Sequence, residues 1–173
     1  SKAWATSYNI PYVQNNLIIK REIQHNRSSG MQAFIFNTRR DLFKNRAVRK
    51  ALSYAFDFEW TNQSLFYGQY SRTRSFFDNS ELAATKLPSS EELALLEPFR
   101  DQLPVDVFVN EYNPPRTDKN TTLRANLKFA ANILKSVGWK VIDGKLIKPK
   151  TKQVFEFEIL LVTPLFERIA LPF

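Results

Sequence analysis

The chain has no cysteine and a single histidine among its 173 residues. Without cysteine there is no disulfide, no thiolate nucleophile and no cysteine-based zinc site. His25 stands in the polar stretch QHNRSSG. A single histidine without cysteines gives too few ligands for a histidine metal site and makes a Ser-His-Asp triad a poor interpretation. We interpret His25 as an exposed loop residue and expect neither a metal nor a cofactor.

Glycine is scarce, and long apolar runs are missing. The four glycines, Gly30, Gly68, Gly138 and Gly144, lie far apart, so they cannot assemble a phosphate-binding loop or a dinucleotide fingerprint. No apolar run approaches the roughly 18 residues of a spanning helix, and SKAWATSYNI lacks the apolar core of a signal peptide. We expect no direct membrane insertion, and any export signal would lie upstream of this sequence.

The composition is that of a folded domain, with 43% hydrophobic and 14% aromatic residues. Lys and Arg number 25 against 17 Asp and Glu, which gives a net charge of +8. This charge would suit an anionic partner, but the basic residues are spread through every segment. The spread favours a merely basic surface.

Three segments are predicted to be strands. Leu17–Ile23 and Met31–Asn37 are rich in β-branched and aromatic residues and are bracketed by turn formers. In VFEFEILLV the residues Phe155, Phe157, Ile159 and Leu161 would share one strand face. Asp143-Gly144 between two short apolar runs predicts a two-residue hairpin.

Capping residues mark the predicted helices. Asn45 and Asp57 are predicted N-caps of two successive helices, the second ending at Gly68. The buried stripe of the first is predicted to be Val48, Ala51, Leu52, Ala55 and Phe56. Ser89 and Glu92 form a capping-box pattern in a short helix that we expect Pro98 to stop.

Two further helices are predicted towards the end of the sequence. The first begins at Thr121 and ends before Gly138. Its apolar face is predicted to be Leu123, Leu127, Ala130, Leu134 and Val137. Pro164 is predicted to start the second, in PLFERIALPF.

Six basic residues follow the second predicted strand, three before Asn45 and three in the helix that it caps: Arg39, Arg40, Lys44, Arg46, Arg49 and Lys50. They could neutralise phosphates, so a basic nucleic-acid-binding domain is an alternative interpretation. Asp41 interrupts the cluster, no recognised nucleic-acid module surrounds it, and helical phase places most of the charges on a solvated face. We therefore predict no nucleic-acid partner.

An enzyme is the other alternative, since binding folds can acquire chemistry. Glu156 and Glu158 point to one strand face, as paired catalytic carboxylates would. Alternation with Phe155 and Phe157 is what any half-buried strand shows, however, and histidine, cysteine and glycine-rich loops are lacking. We predict that the chain is not an enzyme and has no catalytic residue.

The loop YGQYSRTRSFF places Arg72 and Arg74 beside the aromatic residues Tyr67, Tyr70 and Phe76. Guanidinium groups pair bidentately with carboxylate or phosphate, while aromatic faces hold apolar or planar groups. The pattern is equally typical of a ligand-binding loop and of a loop packed by its own aromatic side chains.

The order FNT, a short basic link, AVRKALSYAFD, YG and an arginine-aromatic loop resembles the second lobe of the family 5 solute-binding proteins of ABC importers. The resemblance continues through LRANLKFAANILKSVGWKVIDGKL and FEFEILL, and so covers essentially the whole chain. GMQAFIFNTRR and FERIALPF look closer still to the Yej-type subfamily, which is associated with oligopeptide and microcin C uptake.

This resemblance implies an α/β fold that forms part of one lobe of a two-lobe periplasmic-binding-protein-like structure. Residues 1–173 would be a single incomplete domain within the second, C-terminal lobe of a larger protein. That protein would capture oligopeptides or peptide-like compounds in the periplasm by lobe closure and deliver them to an inner-membrane ABC permease. An isolated fragment with an uncovered strand edge is expected to self-associate.

In the family, the loop after YG approaches the ligand cleft. The resemblance therefore implies Tyr67, Tyr70, Arg72, Arg74 and Phe76 as ligand contacts, with Asn37 and Arg39 at the strand end as secondary candidates. The arginines are expected to meet carboxylate or phosphate groups, and the aromatic side chains to pack beside the ligand.

Overall fold

The structure is a computed structural model that describes residues 2–173. Its α-helices are α1 Lys2–Thr6, α2 Pro11–Gln14, α3 Asp41–Lys44, α4 Arg46–Ala55, α5 Phe58–Phe66, α6 Ser90–Leu96, α7 Asp106–Val109, α8 Leu123–Ser136 and α9 Glu167–Ala170. Short 3-10 helices cover Glu97–Gln102 and Pro164–Phe166, and the strands are β1 Lys140–Ile142, β2 Lys145–Lys148 and β3 Gln153–Val154. The chain divides into two compact units.

The first unit contains the chain up to Ile10 together with Ile35–Tyr70 and Pro115–Phe173. Its core is a cluster of buried apolar side chains formed by Leu42, Phe43, Val48, Leu52 and Trp139. Helices α4 and α8 pack against each other beside this core. Helices α3 and α4 therefore supply four of the five side chains in this core.

Helix α4 forms where the sequence predicts it. The Asn45 side chain accepts a hydrogen bond from the Ala47 amide at 2.8 Å, which satisfies one of the free N–H groups of the first turn. Val48, Ala51 and Leu52 are buried, as the apolar periodicity predicts, whereas Ala55 is half-buried. The N-cap and the buried face are thus confirmed.

Arg49 departs from the expectation that it belongs to the solvated face of α4. Its Nη1 donates to the Phe43 carbonyl at 2.6 Å and to the Lys44 carbonyl at 3.0 Å. These carbonyls lie at the end of α3, where they have no partner within the helix. Arg49 is half-buried and fastens α3 to α4.

Helix α8 is confirmed, and its predicted face is confirmed in part: Ala130 is buried, and Leu134 and Val137 pack against the core cluster. Asn126 and Ala130 are buried, while Leu123 and Leu127 are 37% and 45% exposed. The Asn126 side chain donates to the Arg116 carbonyl at 3.0 Å, and this bond holds a polar residue in the interior. Apolar periodicity alone gives no weight to a buried asparagine, so the prediction leaves out Asn126.

A three-stranded antiparallel sheet with the order β1-β2-β3 follows α8. Val141 pairs with Leu146 and Ile147 pairs with Val154. Asp143 and Gly144 connect β1 and β2 with φ angles of 47° and 74°, the left-handed pair that a type I′ hairpin requires. The hairpin predicted at Asp143-Gly144 is confirmed.

The third predicted strand is largely wrong. Regular pairing in this region stops at β3, although the Phe155 amide still donates to the Leu146 carbonyl at 2.8 Å. Strand assignment requires a ladder of backbone hydrogen bonds, and β2 ends before it can pair with residues 156–161. The side-chain alternation nevertheless persists, because Phe155 and Leu161 are half-buried whereas Leu160 is exposed.

The second unit contains Pro11–Phe34 and Ser71–Pro114. Helix α6 begins with the predicted capping box: the Ser89 hydroxyl accepts from the Glu92 amide, and the Glu92 carboxylate accepts from the Ser89 amide. Helix α6 ends at Leu96, two residues before Pro98, as predicted, and the chain continues as the 3-10 helix Glu97–Gln102, which has Pro98 in its first turn. That position tolerates the missing N–H.

The strands predicted at Leu17–Ile23 and Met31–Asn37 are wrong, since neither segment is a strand in the part of the chain that the structure describes. The first begins by wrapping the end of α2, where the Leu17 and Ile18 amides both donate to the Tyr12 carbonyl. The second crosses the division between the two units after Phe34. Propensity marks a segment as suited to a sheet, but pairing decides whether a strand forms.

Candidate functional site

The predicted ligand residues fall into both units. Tyr67 and Tyr70, with the secondary candidates Asn37 and Arg39, belong to the first unit. Arg72, Arg74 and Phe76 belong to the second. The division passes between Tyr70 and Ser71, within the loop itself. Each half of the loop is held by its own set of contacts.

The first half of the loop begins at the C-terminus of α5. That helix is capped by Asp57, whose carboxylate accepts from the Trp60 amide at 3.0 Å, and it runs to Phe66, with Gly68 in the left-handed conformation predicted for it. Tyr67 and Gly68 are both left-handed, with φ of 57° and 70°, so the chain turns sharply. The predicted N-cap is confirmed, and the turn starts one residue before the glycine.

Asn62 fixes this turn. Its backbone carbonyl accepts from the Tyr67 and Gly68 amides. Its side chain donates through Nδ2 to the Tyr70 carbonyl at 2.7 Å and accepts through Oδ1 from the Tyr70 amide at 3.0 Å. The Tyr70 ring packs on Phe66 with centroids 4.6 Å apart. Tyr67 and Tyr70 remain 41% and 47% exposed.

The second half of the loop is braced by Arg74. Its guanidinium donates through Nε and Nη2 to the Tyr112 carbonyl at 3.4 and 3.3 Å. Its backbone amide donates to Asp78 Oδ2 at 3.0 Å. Phe76, between these anchors, is 78% exposed, and Arg72 is half-buried. Arg74 therefore supports the loop, while Phe76 presents a free aromatic surface.

Asp78 and Asn79 extend this bracing to another segment of the second unit. The Asn79 Nδ2 donates to the His25 and Arg27 carbonyls at 2.8 and 2.6 Å, and the Ser29 amide donates to the Asp78 carbonyl. His25 accepts from the Arg27 amide through Nδ1, as part of a local turn. The histidine is thus an exposed loop residue, as the sequence predicts.

The secondary candidates lie in a closed turn. Asn37 Oδ1 accepts from the Arg39 amide at 3.1 Å, and the Asn37 carbonyl accepts from the Arg40 amide at 3.0 Å. The Asn37 side chain shapes the backbone, as asparagine commonly does in turns. Arg39 is exposed, and its neighbour Arg40 pairs with Glu158 at 3.3 Å on the surface.

Sequence reasoning missed a polar contact network beside α5. Thr117 Oγ1 donates to Asp57 Oδ1 at 2.6 Å, and the Thr117 amide donates to Glu59 Oε2 at 2.9 Å. Close by in sequence, the Asn120 and Thr121 amides bond to the Asp118 carboxylate and hold its pKa below the usual value. The acidic spacing in DFE is the only local signal of this network, and the sequence predicts only a capping role for Asp57.

The first unit also has an open apolar groove of about 220 Å³. It is lined by Ala55, Phe56, Asp57, Trp60, Thr61, Leu123, Ile169, Pro172 and Phe173. Pockets for drug-sized ligands are usually about 300–1,000 Å³. The groove accommodates one or two side chains and is too small for an oligopeptide.

The described residues contain no group of His, Cys, Asp or Glu that could hold a metal ion. Across residues 2–173, no helix combines the length and the apolar character needed to cross a bilayer. Tyr67 and Tyr70 are exposed aromatic side chains of the first unit, and Phe76 is an exposed aromatic side chain of the second.

A family model described as "Bacterial extracellular solute-binding proteins, family 5 Middle" matches residues 3–172. The match identifies a class of proteins that bind solutes outside the cytoplasmic membrane. The chain belongs to family 5 of these extracellular solute-binding proteins. The predicted family is confirmed, and helices with a small sheet fit an α/β part of its two-lobe fold.

Curated relatives support the family and the Yej-type resemblance. The chain is 40% identical over 175 residues to the "Probable peptide-binding protein YejA" of Agrobacterium fabrum, covering 100% of this chain and 28% of that protein. It is 38% identical to the "Uncharacterized protein YejA" of Escherichia coli, covering 100% of this chain and 29% of that protein. A third relative, the "Peptidoglycan-binding protein YepA" of A. fabrum, is 38% identical over 171 residues. The chain spans less than a third of the length of these relatives.

Proposed function

We propose that the chain is part of the substrate-binding component of an ABC importer, and that this component captures oligopeptides or peptide-like compounds. The observation that carries the proposal is the name of the A. fabrum relative, a probable peptide-binding protein that is 40% identical over the whole chain. Family 5 membership supplies the class of protein. The proposed component is not an enzyme, works in the periplasm and delivers its ligand to an inner-membrane permease.

The larger organisation belongs to the same proposal. Residues 1–173 would be part of the second, C-terminal lobe of a longer polypeptide, which the relatives' greater length supports. Ligand capture would then require the other lobe to close over the loop that contains Tyr67 and Phe76. Uptake of microcin C, a peptide-like compound, is the most specific form of this proposal.

The ligand contacts can be ranked by what each side chain already does. Tyr70 and Tyr67 combine exposed aromatic surface with backbone hydrogen bonds to Asn62, and Phe76 is the most exposed of the three, so these residues fit the contact role best. Arg74 already binds the Tyr112 carbonyl, and we propose that it supports the loop as well as meeting a ligand carboxylate. Arg72 stays a proposed contact.

Asn37 and Arg39 stay secondary. The Asn37 carboxamide is occupied within its own turn, so its first role is local geometry. Arg39 has an exposed guanidinium and remains the better of the two for an anionic group on a ligand.

Peptide capture is tested on the natural polypeptide that contains this chain. The wild type, Phe76→Ala and the control Leu82→Ala are incubated with an equimolar pentapeptide library, and retained peptides are measured by native mass spectrometry. Phe76 and Leu82 are 78% and 66% exposed in the same unit, so neither truncation should affect folding. We expect Phe76→Ala to lower retention roughly tenfold and Leu82→Ala to leave it within about twofold.

Two outcomes would contradict the proposal. If the wild type retains no peptide from the library, peptide capture is wrong. If Phe76→Ala retains as much as the wild type, Phe76 is not a ligand contact and only the loop assignment fails.

A second candidate ligand class is a peptide-bearing fragment of the cell wall. The observation that favours it is the peptidoglycan-binding name of the YepA relative, which is 38% identical over 98% of this chain. Such fragments join a short peptide to sugars, so they are peptide-like compounds. Competition between purified muropeptides and the pentapeptide library on the same protein distinguishes the two classes.

A further inference from the structure

Asn62 contacts the backbone at successive points of the turn that follows α5. Its carbonyl accepts from the Tyr67 and Gly68 amides, the latter at 3.0 Å. Its carboxamide then forms a two-bond pair with Tyr70, donating at 2.7 Å and accepting at 3.0 Å. The side-chain amide thus pairs with Tyr70 much as a neighbouring strand would.

These two sets of bonds have different physical meanings. The bonds to Tyr67 and Gly68 use a backbone carbonyl, which every residue supplies, so they would survive any substitution at position 62. The bonds to Tyr70 require one acceptor and one donor in a single planar group, which the carboxamide of asparagine supplies. The choice of side chain at position 62 therefore affects only the bonds to Tyr70.

Fixing the backbone of Tyr70 fixes the direction of its side chain. Both polar groups of its backbone are held by Asn62, and its ring rests on Phe66 with an interplanar angle of 56°. Tyr70 is still 47% exposed, so the restraint leaves part of the ring accessible. An aromatic side chain ordered in advance loses less conformational entropy when a ligand packs on it.

We propose that Asn62 is the positioning residue of the ligand loop: its carboxamide holds Tyr70 in the orientation that binds peptide-like ligands, without touching the ligand itself. This inference rests on the proposed function of Tyr70 as a ligand contact. It adds a residue that neither the sequence pattern nor the resemblance identifies.

The test compares Asn62→Leu and Asn62→Asp with the wild type, again in the natural polypeptide that contains this chain. Asn62→Leu removes both bonds to Tyr70, whereas Asn62→Asp keeps the acceptor and loses the donor. Asn132→Leu is the control, because it makes the same chemical change on the exposed face of α8.

Three readouts separate positioning from general stability: the thermal midpoint, the hydrogen-exchange rate of the Tyr70 amide, and retention of the pentapeptide library. We expect Asn62→Leu to speed Tyr70 exchange at least roughly tenfold and to lower retention by a similar factor, with little change in midpoint. Asn62→Asp keeps the acceptor of the Tyr70 amide and loses the donor to the Tyr70 carbonyl, so its Tyr70 exchange should stay near the wild-type rate while its retention falls. Asn132→Leu should match the wild type in exchange and retention.

The outcomes are distinguishable. Unchanged Tyr70 exchange in Asn62→Leu would overturn the positioning role, and faster exchange with unchanged retention would overturn its link to binding. If the wild type retains no peptide, the proposed function fails and the binding part of this inference fails with it, while the exchange rates still decide whether Asn62 holds Tyr70. If Asn62→Leu does not fold, lower retention in Asn62→Asp, which loses the bond to the Tyr70 carbonyl, supports the role, and wild-type retention in Asn62→Asp overturns it.

Discussion

Thr117 and Asp57, 60 residues apart in sequence, are joined by a hydrogen bond of 2.6 Å between Thr117 Oγ1 and Asp57 Oδ1. The same Asp57 oxygen caps α5 by accepting from the Trp60 amide, and the Thr117 amide reaches Glu59 at 2.9 Å. A single threonine therefore attaches the segment before α8 to the first turn of α5. The attachment is within the unit that carries Tyr67 and Tyr70.

Thr117→Val tests this attachment. The substitution keeps the shape of the side chain and removes the hydroxyl, so Asp57 loses a part-buried donor while the amide bond to Glu59 remains. We expect the free energy of unfolding to fall by about 1–2 kcal/mol. Urea denaturation measures it, with Thr151→Val on an exposed turn as the control. Equal stability of the two variants would show that the bond contributes nothing.

Local signals predicted the helices well. The N-caps at Asn45 and Asp57, the capping box at Ser89 and the Asp143-Gly144 hairpin are all formed. Each cap, and the turn of the hairpin, joins residues fewer than five positions apart, so both partners of the contact can be read from one short stretch of sequence. Caps and hairpin turns are therefore predictable before any tertiary contact is known.

The errors have the opposite character. Leu17–Ile23 has the composition of a strand, but a strand also needs a distant partner that composition does not specify. The predicted apolar face of α8 leaves out Asn126. This residue is buried through its bond to the Arg116 carbonyl, a contact that no apolar pattern reveals. Within the candidate site, the ligand role of the aromatic loop residues stays a prediction, and the Asn62 contacts with Tyr70 depend on how the turn closes.

Trp139 should tolerate phenylalanine far better than alanine. It is 1% exposed, and its ring meets Phe155 edge-on at 4.8 Å. Its buried Nε1–H has no acceptor among the residues that the structure describes, so Trp139→Phe removes an unsatisfied donor along with part of the ring. We expect Trp139→Ala to cost about 3–5 kcal/mol in unfolding free energy and Trp139→Phe distinctly less. Equal losses in guanidinium denaturation would contradict this.

The exposed segment after β3 is predicted to drive self-association of the 173-residue chain. Leu160 and Val162 are among its most exposed apolar side chains, at 92% and 88%. Unpaired extended backbone with apolar side chains favours pairing between copies. Light scattering at high concentration should show association that Leu160→Lys with Val162→Lys reduces, while Leu171→Lys with Leu165→Lys does not. A monomeric wild type would refute the prediction.

Acid should reveal the contribution of Asp118. Bonds from the Asn120 and Thr121 amides lower its pKa from the usual 3.8, so the folded state favours the charged carboxylate. Because the folded pKa lies below the unfolded one, the stabilisation is complete above the unfolded value and is lost as the pH falls through the folded value. Asp118→Asn keeps the acceptor without the charge. Its stability deficit relative to the wild type should be present at pH 6 and shrink below about pH 4; a deficit constant with pH would exclude the charge as the cause.

Gly144→Ala isolates the backbone requirement of the hairpin. Gly144 has a φ of 74°, and an added Cβ would meet nothing within 4 Å, so conformational strain is the only cost. We expect a loss of about 1–2 kcal/mol in unfolding free energy. Gly144→Asn should lose less, because asparagine tolerates the left-handed region. Gly30→Ala is the matched control, since Gly30 is equally open and does not adopt a positive φ. If Gly30→Ala and Gly144→Ala cost the same in urea denaturation, loss of the left-handed turn is not what destabilises the hairpin.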